Sequence, residues 1–135
     1  MANAIYPKFK ELALGLGIGV GTKPTGTLKM ALVDTGTYTY SAAHDYYDDA
    51  SAGVVGTPTA IGSPTVTGGT LDGTDVTFTA VTGATCEAII VFLDTGTPGT
   101  SPLVCYMDTG VTGLPVTPNG GNINVAISGS GILSL

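Results

Sequence analysis

Three times this chain runs through an apolar stretch and stops on the same tripeptide, Asp-Thr-Gly. Ala31-Leu32-Val33 leads into 34–36, Val91-Phe92-Leu93 into 94–96, and Cys105-Tyr106-Met107 into 108–110. Aspartate accepts hydrogen bonds from the backbone just ahead of it, and glycine enters the left-handed region that tight turns use. The pattern predicts strands that end abruptly at turns. Residues 27–33 form the first such strand. Residues 53–73, rich in Gly, Pro and Thr, read as short strands and turns. Val76, Phe78 and Ala80 alternate with Thr77 and Thr79, a strand with one buried face. Residues 86–93 are almost continuously apolar and predict a central strand, with 103–107 as its hairpin partner. Pro118-Asn119-Gly120-Gly121 is a further turn. Ile123, Val125 and Ile127 alternate with Asn122, Asn124 and Ala126, and 131–135 close the chain as an apolar strand. Short strands broken by turn signals roughly every 8–12 residues argue for an all-β fold, an antiparallel β-sandwich or jelly-roll-like barrel.

The N-terminus departs from this pattern. Pro7 suits a first helical position, and Phe9, Leu12, Ala13 and Leu16 follow helical spacing, so a short helix is predicted over 7–16. Gly15, Gly17, Gly19 and Gly21 then end it. This glycine run is no dinucleotide fingerprint: Val20 stands where the third glycine belongs, and no strand precedes it. It reads as a hinge. The expected division is an N-terminal arm with a short helix, 1–26, and a single β-domain, 27–135. Lys8 and Lys10 before an apolar run imitate a secretory leader. Glu11 interrupts the imitation and no small-x-small cleavage site follows, so no cleaved leader is expected. The run is also too short to span a bilayer.

Charge divides the chain at the same place. All four lysines, Lys8, Lys10, Lys23 and Lys29, lie in the first 29 residues, and arginine is absent. With Glu11 that segment carries net +3, while 30–135 holds nine carboxylates and no cation. Such a body repels nucleic acid and anionic membrane, so neither is an expected partner. The basic arm suits an acidic protein surface, including that of a sibling subunit. Charged residues make up 10% of the chain, against about 25% in an average soluble domain. A weakly charged, Thr-rich exterior fits a protein packed against neighbours; the plainer alternative is a β-domain with a neutral surface.

Candidate chemistry is sparse. Cys86 and Cys105 both sit in apolar runs and are expected as buried thiols; the sequence leaves their pairing open. Ala31-Leu32-Val33-Asp34-Thr35-Gly36-Thr37 resembles the active-site loop of retropepsin-like aspartic proteases, which bring two such aspartates together to share a proton. Threefold repetition after apolar strands, and a polar continuation after Tyr38-Thr39-Tyr40, favour turn chemistry instead. His44 with Asp45, Asp48 and Asp49 lacks a second imidazole or thiol and reads as a solvated acidic segment, itself suited to receive a basic arm. Tyr38, Tyr40, Tyr46, Tyr47 and His44 form the main aromatic cluster, divided between core packing and an interface or sugar platform. No catalytic residue, cofactor or metal is expected.

Four stretches carry a family resemblance. Met1-Ala2-Asn3-Ala4-Ile5-Tyr6-Pro7-Lys8-Phe9-Lys10-Glu11, Lys29-Met30-Ala31-Leu32-Val33-Asp34-Thr35, Tyr38-Thr39-Tyr40-Ser41-Ala42-Ala43-His44-Asp45 and Gly113-Leu114-Pro115-Val116-Thr117-Pro118-Asn119-Gly120-Gly121 are similar to a group of small virion structural proteins of tailed bacteriophages. The resemblance implies a capsid decoration or cement protein on the head surface. Its expected partners are the major capsid protein and further copies of itself, with a trimer suggested by the three-fold sites of shells. A tail, connector or head-fibre component is the alternative. The residues expected to meet capsid or sibling subunits are Lys8, Phe9, Lys10, Leu12, Lys23, Tyr46 and Tyr47.

Overall fold

A computed structural model describes residues 3–135; Met1 and Ala2, the first two residues of the expected arm, lie outside the described residues. β1 (Ala4–Ile5) and α1 (Pro7–Gly17) open the chain, and β2 (Thr27–Val33) follows. Two single 3-10 turns, Tyr47–Asp49 and Ser51–Gly53, lead into β3 (Val54–Ala60). Then come β4 (Thr65–Thr67), β5 (Thr70–Asp72), β6 (Val76–Phe78) and β7 (Ala88–Asp94). A 3-10 turn at Pro98–Thr100 links β7 to β8 (Leu103–Met107), and β9 (Ile123–Val125) and β10 (Leu133–Ser134) complete the fold. The chain is thus mostly β, with antiparallel sheets and one short N-terminal helix, consistent with a sandwich-like all-β fold. Among the described residues no helix is long and apolar enough to cross a membrane.

The largest sheet has the order β1-β8-β7-β2-β3, with β7 at its centre. β2 pairs with β7 along its whole length, from Thr27 opposite Asp94 to Val33 opposite Ala88. A β7 strand buried on both faces accounts for its unbroken apolar sequence. On one face Met30, Leu32, Ile89, Val91 and Cys105 join Phe78, Val125 and Ile132 in a core roofed by β6–β9 and by β10-β5-β4. On the other, Ala31, Val33, Ile90 and Phe92 pack against Tyr6, Tyr38 and Tyr106. The period of two along each strand sends alternate residues to alternate cores. A bulge in β8 breaks the alternation. Val91 opposes Cys105 and Phe92 opposes Leu103, so the intervening Val104 has no partner and joins Cys105 on one face.

The outer strand β3 carries Pro58 and a glycine at positive φ, Gly56, between its pairings of Thr59 with Met30 and of Val55 with Leu32. Proline is tolerated there because an edge strand has one row of donors without partners. Close approach also has one strict requirement. A Cβ on buried Gly53 would collide with the Cβ of Tyr38. Gly53→Ala is therefore expected to destabilise the fold by about 1–3 kcal/mol, the cost of overpacking a filled core. Chemical denaturation of the variant and the parent chain measures it.

Cys86 and Cys105 are both buried and free. Cys86 lies before β7 while Cys105 faces Val91 within it, so the two are not cross-strand partners. Burial, then the charge of Glu87, raises the Cys86 thiol to about 11. Burial raises Cys105 to about 12. Both are protonated and poor nucleophiles at neutral pH.

Candidate functional site

Each Asp-Thr-Gly tripeptide ends a strand. Asp34 Oδ1 accepts from the Gly36 N–H at 2.9 Å, and its Oδ2 from the Thr37 hydroxyl at 2.9 Å. Asp94 Oδ1 accepts from the Gly96 N–H at 2.8 Å. Gly96 and Gly110 sit at φ of +93° and +71°. These aspartates make turns by satisfying the backbone ahead of them. Asp34 follows the end of β2 paired with Ala88, and Asp94 lies opposite Thr27 at its other end. The two carboxylates therefore stand at opposite ends of the strand pair.

The aromatic residues divide into three places. Tyr6, buried, forms an O–H···O bond of 2.8 Å with Tyr38, and the Tyr38 hydroxyl lies 2.8 Å from His44 Nδ1. The Tyr6 and Tyr40 rings lie 5.1 Å apart and those of Tyr40 and Tyr106 5.6 Å apart. Burial, helped by the bond to Tyr38, holds the Tyr6 hydroxyl far above the usual phenol range. Burial and the Asp108 charge push Tyr106 up to about 12. Tyr6, Tyr38 and Tyr106 thus stay uncharged in a hydrogen-bonded plug on one face of the sheet. Tyr47 stacks on Phe92 with centroids 4.2 Å apart. Tyr46 alone is turned outward, 38% exposed.

Tyr46 belongs to a groove of about 440 Å³ between α1, the glycine run and the turns at 45–46 and 100–102. Lys8, Leu12 and Val20 line one side; Asp45, Tyr46 and Pro102 line the other. Local chemistry builds each wall. Pro7 starts α1, which presents Lys8 and Leu12 one turn apart on one side. Gly15 lets the chain fold back at the end of α1, where the Val20 N–H reaches Gly15 O at 2.6 Å; a Cβ on Gly15 would come within 2.9 Å of Val20 O. Across the groove, Asp49 Oδ2 accepts from the Asp45 N–H at 3.0 Å and holds the 45–46 turn. Lys8 pairs with Glu11 at 3.0 Å. That bond, reinforced by the nearby Asp45 charge, holds Lys8 above the ordinary lysine range.

Of the seven residues expected at an interface, Lys8, Leu12 and Tyr46 line this groove together. Lys10 and Lys23 are exposed outside its lining. Phe9 packs against both cores and Tyr47 stacks on Phe92, each remaining half-buried. Leu14, Ile18 and Val20, unassigned from sequence, are 70%, 79% and 63% exposed. Leu14 and Ile18 lie off the stripe of Phe9, Leu12, Ala13 and Leu16. An apolar residue on the polar side of a short helix was the available signal. Asp45 belongs to the acidic segment read as suited to receive the arm, and it lies in the groove with Lys8. Thr100 and Pro102 carried no signal, because only the β7–β8 turn brings 100–102 beside residues 45–46. There, Tyr46 bridges to Pro102. Among the described residues no group of three His, Cys, Asp or Glu side chains is placed to hold a metal ion.

Asp49 and Asp94 give the fold an acid response. The Asp45 and Tyr46 N–H groups hold the Asp49 carboxyl below its ordinary range. Lys29, at 2.7 Å, and the Gly96 N–H do the same for Asp94. A carboxyl depressed in the folded state stabilises it above the unfolded value, about 4, and that stability is lost as pH falls through the folded value. The denaturation midpoint is expected to hold from pH 7 to about 5 and to decline below about 4. Asp49→Asn, which keeps an acceptor but removes the charge, should flatten part of the decline. An unchanged acid limb would show that the turn bonds of Asp49 do not contribute.

The chain matches no protein-family model and no curated protein.

Proposed function

We propose that this chain is a non-enzymatic structural subunit of a bacteriophage virion, seated on the head as a decoration or cement protein and bound through its N-terminal arm and groove. The observation that carries this reading is the exposure of Leu14, Ile18 and Val20 beside that groove. In a chain with so few charges, a concentration of open apolar side chains on one arm marks a contact surface. Lys10 and Lys23 are exposed in the same N-terminal segment, while residues 30–135 carry nine carboxylates and no cation. Apolar anchors ringed by charge are what a repeated bridging contact requires: the anchors supply affinity and the lysines supply steering that weakens with salt. Small contacts repeated over a shell add up through multivalency. The proposed partners are the major capsid protein and further copies of this chain. A trimer would match the three-fold sites of a shell.

The test is the number of copies in purified virions relative to the major capsid protein. Near-stoichiometric abundance is the expected result. A handful of copies per particle would transfer the chain to the tail, connector or head fibre. Absence from particles would overturn the virion reading.

A further inference from the structure

The N-terminal segment is docked on the body by contacts specific at every step. The Asn3 side-chain oxygen accepts from the N–H groups of Asp108 and Thr109 at 2.8 and 3.0 Å, and its amide donates to Thr109 O at 2.9 Å. β1 pairs with β8, Ala4 opposite Tyr106 and Ile5 opposite Cys105. Tyr6 donates its N–H to Val104 O at 3.0 Å and buries its ring among the tyrosines. The link from this segment to β2 has the opposite character. Among the described residues no hydrogen bond or ion pair holds Gly21–Gly26 to anything. Gly19 and Gly21 sit at φ of +79° and +97°, so the reversal after α1 rests on glycines that can equally run straight. Pro24 biases Lys23 toward an extended backbone.

We infer that the segment from Asn3 to Gly17 is exchanged between copies of this chain, with residues 18–26 as the hinge and each copy's β1 and Tyr6 docked on the β8 of its neighbour. An exchanged element makes the same contacts in its neighbour as in its own chain, so the two forms differ only at the hinge and at the surface created there. The hinge has few bonds to give up: the N–H groups of Ile18, Gly19 and Val20 reach back to the carbonyls of Leu14, Gly15 and Leu16 at the end of α1, and residues 21–26 have none to lose. The created surface lies along Leu14, Ile18 and Val20, which stand open to water in the closed chain. Six linking residues reach about 20 Å when extended, enough to cross to an abutting body. Partial covering of these side chains where two bodies abut is the net gain that favours exchange, and what stays open remains available to the head. The partner is a second copy of this chain, and the inference holds or fails without a capsid.

One native residue makes the test direct. The Tyr6–Val104 bond places Ile5 and Cys105 as a pair flanked by ladder hydrogen bonds, the closer of the two antiparallel spacings, about 4.5 Å between Cα atoms. That lies within the span a disulfide bridges. Full-length Ile5→Cys, oxidised with diamide at mildly alkaline pH, is run on a non-reducing gel beside the parent chain. Exchange predicts covalent dimers or larger multiples that reductant returns to monomer, while the parent, with Cys86 and Cys105 buried, stays monomeric on the gel. A monomer that has lost two hydrogens by intact mass would overturn the inference. If the introduced thiol stays free, Asn3→Cys with Thr109→Cys is used instead. Isotopically heavy and light chains are unfolded, mixed, refolded and oxidised. Bridges joining heavy to light peptides support exchange, and bridges confined to one label refute it. Failure of either kind would leave the copy number in virions, and with it the proposed role, untouched.

Discussion

Tyr6→Ala is expected to lower the unfolding free energy by about 3–5 kcal/mol, the usual loss for removing a buried aromatic ring. Against a total of about 5–15 kcal/mol for a domain, that would leave a chain close to unfolding. The size follows from where Tyr6 sits. It is fully buried although it is only six residues from the start of the sequence. Its ring lies 5.1 Å from that of Tyr40, and its hydroxyl is bonded to Tyr38. Removing the ring opens a cavity beside Tyr38 and Tyr40, and β1, with only two paired residues, adds little to hold the segment in its place. Tyr6→Phe isolates the hydroxyl. Tyr38 keeps His44 at 2.8 Å, so the loss should be about 0.5–1.5 kcal/mol. Urea denaturation of both variants measures the difference, with slopes unchanged if only the native state is affected. A cost below about 1 kcal/mol for Tyr6→Ala would mean that the N-terminal segment is peripheral to stability. The result also bears on truncation. Deleting the arm through residue 26 removes Tyr6 and Phe9 from the packing, so lost binding by such a truncation would report unfolding as readily as a missing contact.

Substitution on the outer face avoids that ambiguity. The triple variant Leu14→Gln, Ile18→Gln, Val20→Thr is expected to bind phage heads roughly 30-fold more weakly or worse, equivalent to losing about 2 kcal/mol of anchor contacts. Its fold should be unaffected to within about 0.5 kcal/mol, because the three side chains are open to water and glutamine is a good helix former. Co-sedimentation with heads lacking the native protein measures the binding, and denaturation checks the fold. Undiminished binding by a folded triple variant would remove these residues from the contact surface and with them the main support for the proposed docking face.

How far the fold was legible depended on sequence distance. The helix over Pro7–Gly17, the strands Thr27–Val33 and Leu103–Met107, and the central place of Ala88–Asp94 all follow from local signals: spacing of apolar residues, glycines and the aspartate turns. Those signals act over a few residues, and neighbouring strands joined by short turns pair with each other. The aromatic residues show the limit. Tyr38, Tyr40, Tyr46 and Tyr47 are adjacent in sequence and read as one cluster. The fold divides them among a buried network, an outward groove wall and a stack on Phe92. Tyr6 and Tyr106, which complete the network, stand 32 and 68 residues from Tyr38 and carry no local mark of belonging to it.

The sequence by itself determined the class of the protein: an all-β body of turn-punctuated strands, a short helix at one end, and a charge division that puts every cation within 29 residues of the start. These are properties of composition and short-range pattern, which hold whatever the chain packs against. Only the tertiary structure decided what the N-terminal segment does. Its sequence reads as a free basic arm, yet Asn3, Ile5 and Tyr6 are fastened to β8, while Leu14, Ile18 and Val20 are left facing water. Which side chains are buried depends on contacts a hundred residues away in sequence, between Asn3 and Asp108 and between Ile5 and Cys105. Local pattern specifies the strands, but which surfaces are covered is settled only when distant strands meet.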